Sequence, residues 1–493
     1  MFDSSGLSSS VDFSGRPFHF IGVGGIGMSA LAHVLACRGI PVSGSDLRLS
    51  HITRRLESKG AYIFNQQQAE NISFFTSLHG GESTQLPQVV CSTAISEDNA
   101  EFKEAKALGC PIFHRSDILA AIMNERKGIA IAGTHGKTTT SSIAGYLLWK
   151  ADVDPTIIIG GEVSDWDGNA YEGKSDYVVA EADESDGSLV KLSSYIGAIT
   201  NIELDHPDHY SSLDQIVEIF EKFATKCDTV IGCLDCPTVR DRIKPEIGYS
   251  LNPESGADYV ATNITEAAEG ITAEIIEKGE SLGVLAVPLL GLHNLSNALA
   301  AVAIARLLGV SFDAIAQHLP SFSGAARRFD RRGLHNEILF VDDYAHHPTE
   351  IAATLAAAEV QRSGKLPSGT PRKVVAVFQP HRYSRASTLL DEFAVVFDSA
   401  DRVVVTDIYS AGEKNISGIT GEQVKEVIAQ NNPNTEYQAS LEDVKQSLST
   451  TLNPGDIVIF LTAGNLNQII PEVMAAYQTV SQSDMPQPEA ALT

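Results

Sequence analysis

The stretch Gly133–Thr138 has the residue types and the spacing of a loop that binds phosphate. It reads Gly-Thr-His-Gly-Lys-Thr and lies between an apolar run, Ile129–Ala132, and a segment with a helical pattern. Glycines let backbone N–H groups turn toward a phosphate, and the N-terminus of the next helix adds the positive end of its dipole. We therefore expect Lys137 to reach the terminal phosphates of a nucleotide and the Thr138 hydroxyl to bind Mg²⁺.

This loop is shorter than the usual phosphate-binding pattern. The usual pattern has a further Gly at the position that Ile131 occupies. An ordinary glycine turn in front of a helix is the alternative interpretation. The strand-like run before the loop and the helical pattern after it favour the phosphate loop, because the motif requires both.

A second glycine motif, Gly22–Gly27, follows the strand-like run His19–Val23 and precedes another helical pattern. It has the form GxGxxG, and Asp46 lies about 20 positions further on, as in a dinucleotide-binding βαβ unit. The motif requires only a pyrophosphate at a helix N-terminus and a sugar hydroxyl near the acidic residue. NAD, FAD and any other nucleotide diphosphate satisfy it.

Polar side chains follow two strand-like runs beyond the phosphate loop. Glu181–Asp186 end one run, and Asp205–His209 follow the next. Ligands bind beyond the carboxyl ends of parallel strands, so Glu181 and His206 are reasonable ligands for a Mg²⁺ that bridges nucleotide phosphates. A solvated acidic loop and a pair of turn-capping histidines are the alternatives.

Further candidates lie in an apolar helix, in an arginine-rich linker and in a third block of the chain. Asn294 and Asn297 could cap their helix or bind the edge of a base. The linker Ser321–Gly333 contains four arginines, one of which could face a γ-phosphate, unless the linker is simply solvated. The strand ends of the third block carry Asp343, Tyr344, His381, Arg382 and Arg385. The last two arginines could hold a carboxylate through paired hydrogen bonds.

The elements that must position these residues alternate between strand-like runs and helical patterns. This alternation predicts an α/β protein with largely parallel sheets and helices on both faces. Residues 250–285 lose the rhythm. The chain has 493 residues, too many for one core, and we expect about three domains.

Composition excludes several classes of function. The chain has 36 Lys and Arg against 62 Asp and Glu, a net charge of −26, which argues against nucleic-acid and membrane partners. Neither a signal peptide nor an apolar run of membrane-spanning length is indicated, so we expect a cytoplasmic protein. Six sparse cysteines show no disulfide framework, and the pair Cys233 and Cys236 is expected to be plain thiols.

Taken together, the motifs resemble the Mur ligase family from about residue 17 to about residue 470. They are HFIGVGGIGMSALA, GTHGKTTTSS, EADESDGS, NIELDHPDHY, GLHNLSNALAA, ARRFD, VDDYAHHPTEI, FQPHRYSR and DIYSAGE. The resemblance implies a Rossmann-like N-terminal domain that binds a UDP-sugar, a central P-loop-type ATPase domain with a mostly parallel sheet, and a Rossmann-like C-terminal domain. The boundaries expected from the sequence are 1–122, 123–333 and 334–478, with a flexible tail at 479–493.

Within the family, the motifs look most like the branch that joins L-alanine to UDP-N-acetylmuramate. This resemblance implies ATP and Mg²⁺ as cofactors and an acyl phosphate as the intermediate, with ADP and phosphate released during peptidoglycan precursor synthesis. It implies the sugar nucleotide and L-alanine as partners. We expect no nucleic-acid or membrane partner, and a monomer or weak homodimer.

The resemblance also assigns site residues and replaces the NAD interpretation of the first glycine motif. The implied ATP site comprises Gly133, Thr134, His135, Gly136, Lys137, Thr138, Thr139, Asn294, Arg328 and Asp343. The implied UDP-sugar site comprises Gly24, Gly25, Gly27, Met28, Ser29 and Asp46, and the amino-acid site Tyr344, His381, Arg382 and Arg385. The implied Mg²⁺ ligands are Thr138, Glu181 and His206, and the catalytic residues Lys137, Glu181, His206 and Arg328.

One departure from the family pattern and three rival functions stay open. The turn FLTAGNLNQI, Phe460–Ile469, replaces a more acidic glycine turn and leaves a nucleotide contact undecided. The nearest rival is a murein peptide ligase, which joins a preformed peptide to the same sugar nucleotide. The others are an NAD-dependent oxidoreductase, based on the first glycine motif, and a nucleotide-switched binding module without ligase activity.

Overall fold

The computed structural model describes residues 10–78, 85–185, 187–207, 209–362, 369 and 371–478. Asp186, Asp208 and the predicted tail 479–493 lie outside the described residues. The chain divides into two compact units. The first comprises Met1–Thr265, Ile271–Leu289 and His293–Ala326, and the second comprises Glu266–Gly270, Leu290–Leu292 and Arg327–Thr493.

The first unit begins with a five-stranded parallel sheet in the order β3-β2-β1-β4-β5. Its strands are β1 Phe18–Ile21, β2 Val42–Ser45, β3 Tyr62–Phe64, β4 Gln88–Cys91 and β5 Ile112–His114. Its helices are α1 Ile26–Cys37, α2 His51–Ser58, α3 Phe74–Leu78, α4 Ala100–Leu108 and α5 Arg115–Asn124. Every residue of β1, β2 and β4 is buried, as expected for parallel strands with both faces covered. The predicted Rossmann-like N-terminal fold is confirmed.

A ten-stranded sheet follows, in the order β15-β14-β13-β12-β11-β10-β6-β9-β7-β8. Its strands are β6 Lys127–Ala132, β7 Thr156–Val163, β8 Gly168–Tyr171, β9 Tyr177–Glu181, β10 Ser194–Ile199, β11 Cys227–Cys233, β12 Ile247–Ser250, β13 Tyr259–Ala267, β14 Gly270–Glu277 and β15 Glu280–Val287. Its helices are α6 Lys137–Lys150, α7 Leu213–Ala224, α8 Leu292–Leu307 and α9 Phe312–His318.

The centre of this sheet is parallel, as predicted, but both ends carry antiparallel pairs. Strand β7 pairs antiparallel with β8, and β14 pairs antiparallel with β15. Strands β13 to β15 occupy the region in which the sequence shows no strand–helix rhythm. They lie at one end of the sheet and lack the long buried runs of the central strands. Only the first three residues of β13 are buried, and β14 alternates buried with more exposed positions.

The second unit contains a six-stranded sheet in the order β16-β17-β21-β18-β19-β20. Its strands are β16 Asp330–His335, β17 Ile338–Asp343, β18 Lys373–Phe378, β19 Arg402–Thr406, β20 Thr435–Gln438 and β21 Asp456–Leu461. Its helices are α10 Pro348–Arg362, α11 Tyr383–Thr388, α12 Leu390–Val396, α13 Gly421–Ile428, α14 Leu441–Thr451 and α15 Ile470–Ala475. Only the edge strand β16 is antiparallel, and it begins before the expected domain boundary at residue 334.

Two features tie the two sheets of the first unit together. Helix α1 packs against β7 and β8. The buried side-chain amide of Asn169, on β8, donates to the carbonyl of Ile26 and to the Ser29 hydroxyl. The start of α1, directly behind the first glycine motif, is therefore held by the ten-stranded sheet.

No helix in the described part of the chain combines the length and apolar composition needed to cross a bilayer. The six cysteines are free thiols.

His33, on α1, gives a prediction about acid stability. Burial, together with the positive charges of Lys59 and Arg55, lowers the pKa of His33 from 6.5 to about 4, and Asp167 opposes this only weakly. Because the pKa of His33 is lower in the folded state, the unfolded chain binds the proton first as the pH falls. The contribution of neutral His33 to the free energy of unfolding is therefore complete above pH 6.5 and is lost as the pH falls toward 4. The loss approaches about 3 kcal/mol.

We expect His33→Gln to remove this part of the acid sensitivity. Urea unfolding of the parent and the variant between pH 7 and pH 4, followed by the fluorescence of Trp149 and Trp166 of the first unit, measures it. Parent and variant should diverge as the pH falls, with the parent losing more free energy of unfolding. Parallel pH profiles would contradict the prediction.

Candidate active site

The predicted phosphate loop connects β6 to α6 at the carboxyl edge of the ten-stranded sheet. Strand β6 lies between β9 and β10, with Ile131 opposite Glu181 and Ala132 opposite Ile199. The loop, the end of β9 and the segment after β10 therefore meet at one edge, where parallel α/β sheets bind ligands.

Two loop positions accept only glycine. Gly133 has φ +139°, and a Cβ there would overlap the hydroxyl of Thr200. Gly136 has φ +82°, and a Cβ there would overlap the side-chain oxygen of Asn297. Both the backbone conformation and the close approach exclude a side chain. Ile131 is fully buried within β6, so the missing glycine of the longer motif falls in the strand rather than in the loop.

The residues after β10 hold the loop in shape. The N–H of His135 donates to Asn201 Oδ1 at 2.8 Å, and the hydroxyl of Thr200 donates to the His135 carbonyl at 2.6 Å. The Thr134 N–H donates to the Asn201 carbonyl at 3.0 Å. Neither Thr200 nor Asn201 was selected as a site residue from the sequence, because a short polar segment after a strand is common in loops.

Lys137 opens α6 with its ammonium group turned back into the loop. Its Nζ donates to the Gly133 carbonyl at 2.6 Å and to both carboxylate oxygens of Glu184 at 3.0 Å. The Glu184 side chain is 1% exposed. Sequence reasoning placed Glu184 in the acidic segment after β9 but gave it no role, because the contact depends on how that segment folds back.

The carboxylates around Lys137 keep its side chain charged. Burial acts to lower the pKa of Lys137, but the carboxylates of Glu184, Asp183 and Glu181 together raise it above its usual value. Burial raises the pKa of Glu184 to about 7 despite the neighbouring ammonium group. Although burial opposes it, Lys137 and Arg115 lower the pKa of Asp183 to about 2. Lys137 is therefore a cation at neutral pH.

Two of the predicted Mg²⁺ ligands lie together at this edge. The Thr138 hydroxyl donates to Glu181 Oε2 at 2.9 Å, and the Gly160 N–H binds the same oxygen at 2.7 Å. A hydroxyl beside a carboxylate fits a hard cation with oxygen ligands. His206, at φ +55°, has its Nε2 3.8 Å from Glu184 Oε1. The metal-binding role of all three residues stays a prediction.

Asn297 contacts both the phosphate loop, at Gly136, and the helix that follows it. Its side-chain oxygen accepts from the Thr140 hydroxyl at 3.2 Å, and its amide donates to Asn294 Oδ1 at 3.3 Å. Both asparagines are buried, as is Thr139. The nucleotide contact that the family resemblance implies for Asn294 stays a prediction.

Asp46 follows β2 and binds two backbone N–H groups, one of them in the first glycine motif. Its two oxygens accept from the N–H groups of Gly24, at 2.9 Å, and Arg48, at 3.0 Å. Met28 and Ser29 are buried, and the Ser29 hydroxyl accepts from the Asn169 amide. The roles of these residues and of Gly25 in UDP-sugar binding stay predictions.

Arg115 lies between the two glycine-rich loops of the first unit and was not selected from the sequence. Its guanidinium group pairs with Asp183 at 2.8 Å, and a Cβ built on Gly27 would lie 3.5 Å from its Nη1. One basic side chain thus contacts both the start of α1 and the acidic segment after β9.

In the second unit, Asp343 ends β17 and binds two backbone N–H groups. Its oxygens accept from Phe329 and from Ala345, each at 2.7 Å. Burial raises the pKa of Asp343 to about 6 although Arg328 favours its ionised form. The guanidinium groups of Arg327 and Arg328 lie 4.8 Å and 5.3 Å from the ring centre of Tyr344. The Arg-rich linker is therefore packed against this aromatic ring at both positions.

The residues predicted to bind the amino-acid substrate form a second group in this unit. The ring of His381 stacks on Tyr409, with 5.8 Å between centres, and its Nδ1 lies 3.1 Å from Nη1 of the buried Arg385. Arg382 lies 3.7 Å from Glu413. Tyr409 was not selected as a site residue from the sequence, although it belongs to the motif DIYSAGE.

The steric limit at Gly136 gives a direct test of the loop. We expect Gly136→Ala to weaken ATP binding about tenfold or more, about 1.4 kcal/mol, because the added methyl group displaces Asn297 or the loop. Gly39→Ala is the matched control, because Gly39 has φ +76° but open space around it. Calorimetric titration with ATP measures the effect. Equal ATP affinity in the two variants would refute the prediction.

Comparison with known proteins gives three family matches in series along the chain. The model of the Mur ligase family catalytic domain matches residues 17–127, the middle-domain model residues 131–305, and the Mur ligase glutamate ligase domain model residues 327–464.

Relatives match over almost the whole chain. The chain is 58% identical to a UDP-N-acetylmuramate–L-alanine ligase of Nostoc punctiforme, over 96% of this chain and 98% of that protein. It is 56% identical to the protein of that name from Acaryochloris marina, over 99% and 100%.

Solved structures match as well. A UDP-N-acetylmuramate–alanine ligase from Thermotoga maritima has a TM-score of 0.78 at 26% identity, with 94% and 99% of the two chains covered. A murein peptide ligase from Psychrobacter arcticus, at 23% identity and a TM-score of 0.67 over 95% and 100%, shares the fold. The three sheets, the phosphate loop and these matches lead to one conclusion: the chain belongs to the Mur ligase family.

Proposed function

We propose that this chain catalyses the ATP-dependent joining of L-alanine to UDP-N-acetylmuramate, with release of ADP and phosphate, in peptidoglycan precursor synthesis. The main support for the proposal is the 58% identity, over 96% of the chain, to a protein named for this reaction. The phosphate loop of the first unit also supports the proposal, because the chemistry requires a binding site for a triphosphate.

The reaction needs activation of a carboxylate, because a carboxylate is a poor electrophile toward an amine. Transfer of the γ-phosphoryl group of ATP to the lactyl carboxylate gives an acyl phosphate, and the L-alanine amine then attacks its carbonyl carbon and displaces phosphate. Such a transfer depends on positioning and on charge neutralisation more than on a protein nucleophile. We assign charge neutralisation to Lys137 and Arg328.

We propose that Thr138, Glu181 and His206 hold Mg²⁺, which supplies positive charge to the phosphate oxygens when bound. The adjacent Thr138 hydroxyl and Glu181 carboxylate support this assignment, since both are oxygen ligands. We propose ATP contacts for Gly133–Thr139, Asn294 and Asp343, and UDP-sugar contacts for the first glycine motif and Asp46. Tyr344, His381, Arg382 and Arg385 are proposed to bind the amino acid.

The domain division 1–122, 123–333 and 334–478 is part of the proposal, and the three sheets support it. So are a cytoplasmic location, a monomeric or weakly dimeric state, and the absence of nucleic-acid and membrane partners. The net charge of −26 is the support for the last expectation.

Turnover with defined substrates tests the function. We expect ADP formation that requires both UDP-N-acetylmuramate and L-alanine, measured by coupled phosphate release. L-Alanine should be used faster than the tripeptide L-alanyl-γ-D-glutamyl-meso-diaminopimelate. Faster turnover with the tripeptide would make the chain a murein peptide ligase. NADH binding without ATP binding would favour an oxidoreductase.

Lys137→Ala tests the phosphate loop as the ATP site. We expect alanine-dependent ADP formation to fall about 10²- to 10³-fold, because the variant loses the cation closest to the phosphates. Lys127→Ala is the matched control, since Lys127 starts the same strand, β6, at its opposite end. Full alanine-dependent ADP formation in Lys137→Ala would refute the assignment of the phosphate loop as the ATP site.

A further inference from the structure

The turn that departs from the family pattern is held by one buried side-chain amide. Gln379 follows β18 and is 4% exposed. Its Oε1 accepts from the Thr462 hydroxyl at 2.8 Å and from the N–H groups of Asn465 and Leu466 at 3.0 Å and 3.1 Å. Its Nε2 donates to Asn465 Oδ1 at 3.0 Å. One amide therefore satisfies four polar groups of a single turn.

The turn Thr462–Leu466 packs against the aromatic ring of Tyr409. A Cβ built on Gly464 would lie 2.8 Å from Cγ of Tyr409 and would overlap the Gln379 oxygen. The backbone of Gly464 is therefore packed between the amide and the ring. Any movement of the turn changes the position available to Tyr409.

Tyr409 contacts the residues predicted to bind the amino-acid substrate, through its backbone and through its ring. The Arg382 N–H donates to the Tyr409 carbonyl at 2.8 Å, and residues 381 and 409 form an isolated parallel bridge. The His381 ring lies parallel to the Tyr409 ring within 13°. Because a guanidinium group can only donate, the 3.1 Å contact from Arg385 requires His381 Nδ1 to accept and leaves Nε2 as the protonated nitrogen.

We propose that Gln379 is a positioning residue for the amino-acid site: it fixes the turn Thr462–Leu466, which seats Tyr409 and thereby orients His381 and Arg385. The proposal rests on the proposed function, since it takes these two residues to bind L-alanine. Gln379 itself reaches no substrate. Asn465 serves the turn as a hydrogen-bond partner of Gln379, whether or not it contacts a nucleotide.

Gln379→Met keeps the length of the side chain and removes its acceptor, which leaves three donors of the turn without this partner. We expect the KM for L-alanine to rise about tenfold or more, because small displacements of binding groups are costly. The KM values for ATP and UDP-N-acetylmuramate should stay within about twofold. Gln379→Glu, which restores the acceptor, should recover most of the affinity for L-alanine.

Gln361→Met is the matched control in the same unit. Gln361 is also buried, and its amide binds the carbonyl of Ala268, but none of its contacts leads to Tyr409. A general loss of stability would affect both variants alike, whereas the proposal predicts a raised KM for L-alanine in Gln379→Met alone. Thermal unfolding midpoints of both proteins are recorded alongside.

The outcomes separate this inference from the proposed function. A parent protein without alanine-dependent ADP formation would remove the proposed function. An active parent with an unchanged KM for L-alanine in Gln379→Met would overturn the positioning role alone. If Gln379→Met does not fold, Tyr409→Leu replaces it, with Tyr409→Phe as the control that keeps the stacked ring. A raised KM in Tyr409→Leu only would then support the proposal, and equal KM values would overturn it.

Discussion

The structure of the candidate site depends on the close approach of a loop backbone to its neighbours. The loop between β6 and α6 is pressed against Thr200 on one side and Asn297 on the other, with no room for a Cβ at two positions. This constraint turns the loop so that Lys137 begins α6 with its ammonium group directed back into the loop. The residues that form this seat come from three separate parts of the chain, the strand end after β10, the helix α8 and the loop itself.

The buried pair of Lys137 and Glu184 follows from that geometry. An ammonium group removed from water requires an opposite charge, and removal of one partner of such a pair leaves a costly buried charge. The phosphate oxygens of a nucleotide can supply the same negative charge. The acidic segment after β9 thus has two parts, Glu184 as the partner of Lys137 and Glu181 as the partner of the Thr138 hydroxyl.

The sequence predicted the fold class because glycine motifs, apolar runs and polar strand ends are local signals. It predicted that the phosphate loop, Glu181 and the segment with His206 share one edge, since parallel strands align their carboxyl ends. It predicted neither the pairing of Glu184 with Lys137 nor that of Arg115 with Asp183, because each contact joins segments that are distant in sequence. It offered Asn297 as a helix cap or a base contact, and not as a neighbour of the phosphate loop. The strands β13 to β15 escaped detection for a different reason. They lie at the end of the sheet with much of their length outside the core, so they lack the continuous apolar runs of the central strands.

The second unit illustrates the same limit. The motif FQPHRYSR contains both Gln379 and the residues predicted to bind the amino acid. It does not indicate that the Gln379 amide holds a turn, because Thr462 lies 83 positions further along the chain. The replacement of acidic residues in the turn Phe460–Ile469 left a nucleotide contact undecided. In the structure the turn is fully engaged with Gln379, which gives Asn465 a structural partner.

We propose that the γ-phosphoryl group of ATP is transferred to the lactyl carboxylate of the sugar nucleotide. Turnover of UDP-N-acetylmuramate labelled with ¹⁸O in this carboxylate, in the presence of ATP and L-alanine, distinguishes this route from others. The released phosphate should carry one labelled oxygen, because the carboxylate oxygen leaves with the phosphoryl group. Unlabelled phosphate formed alongside the alanine adduct would contradict it.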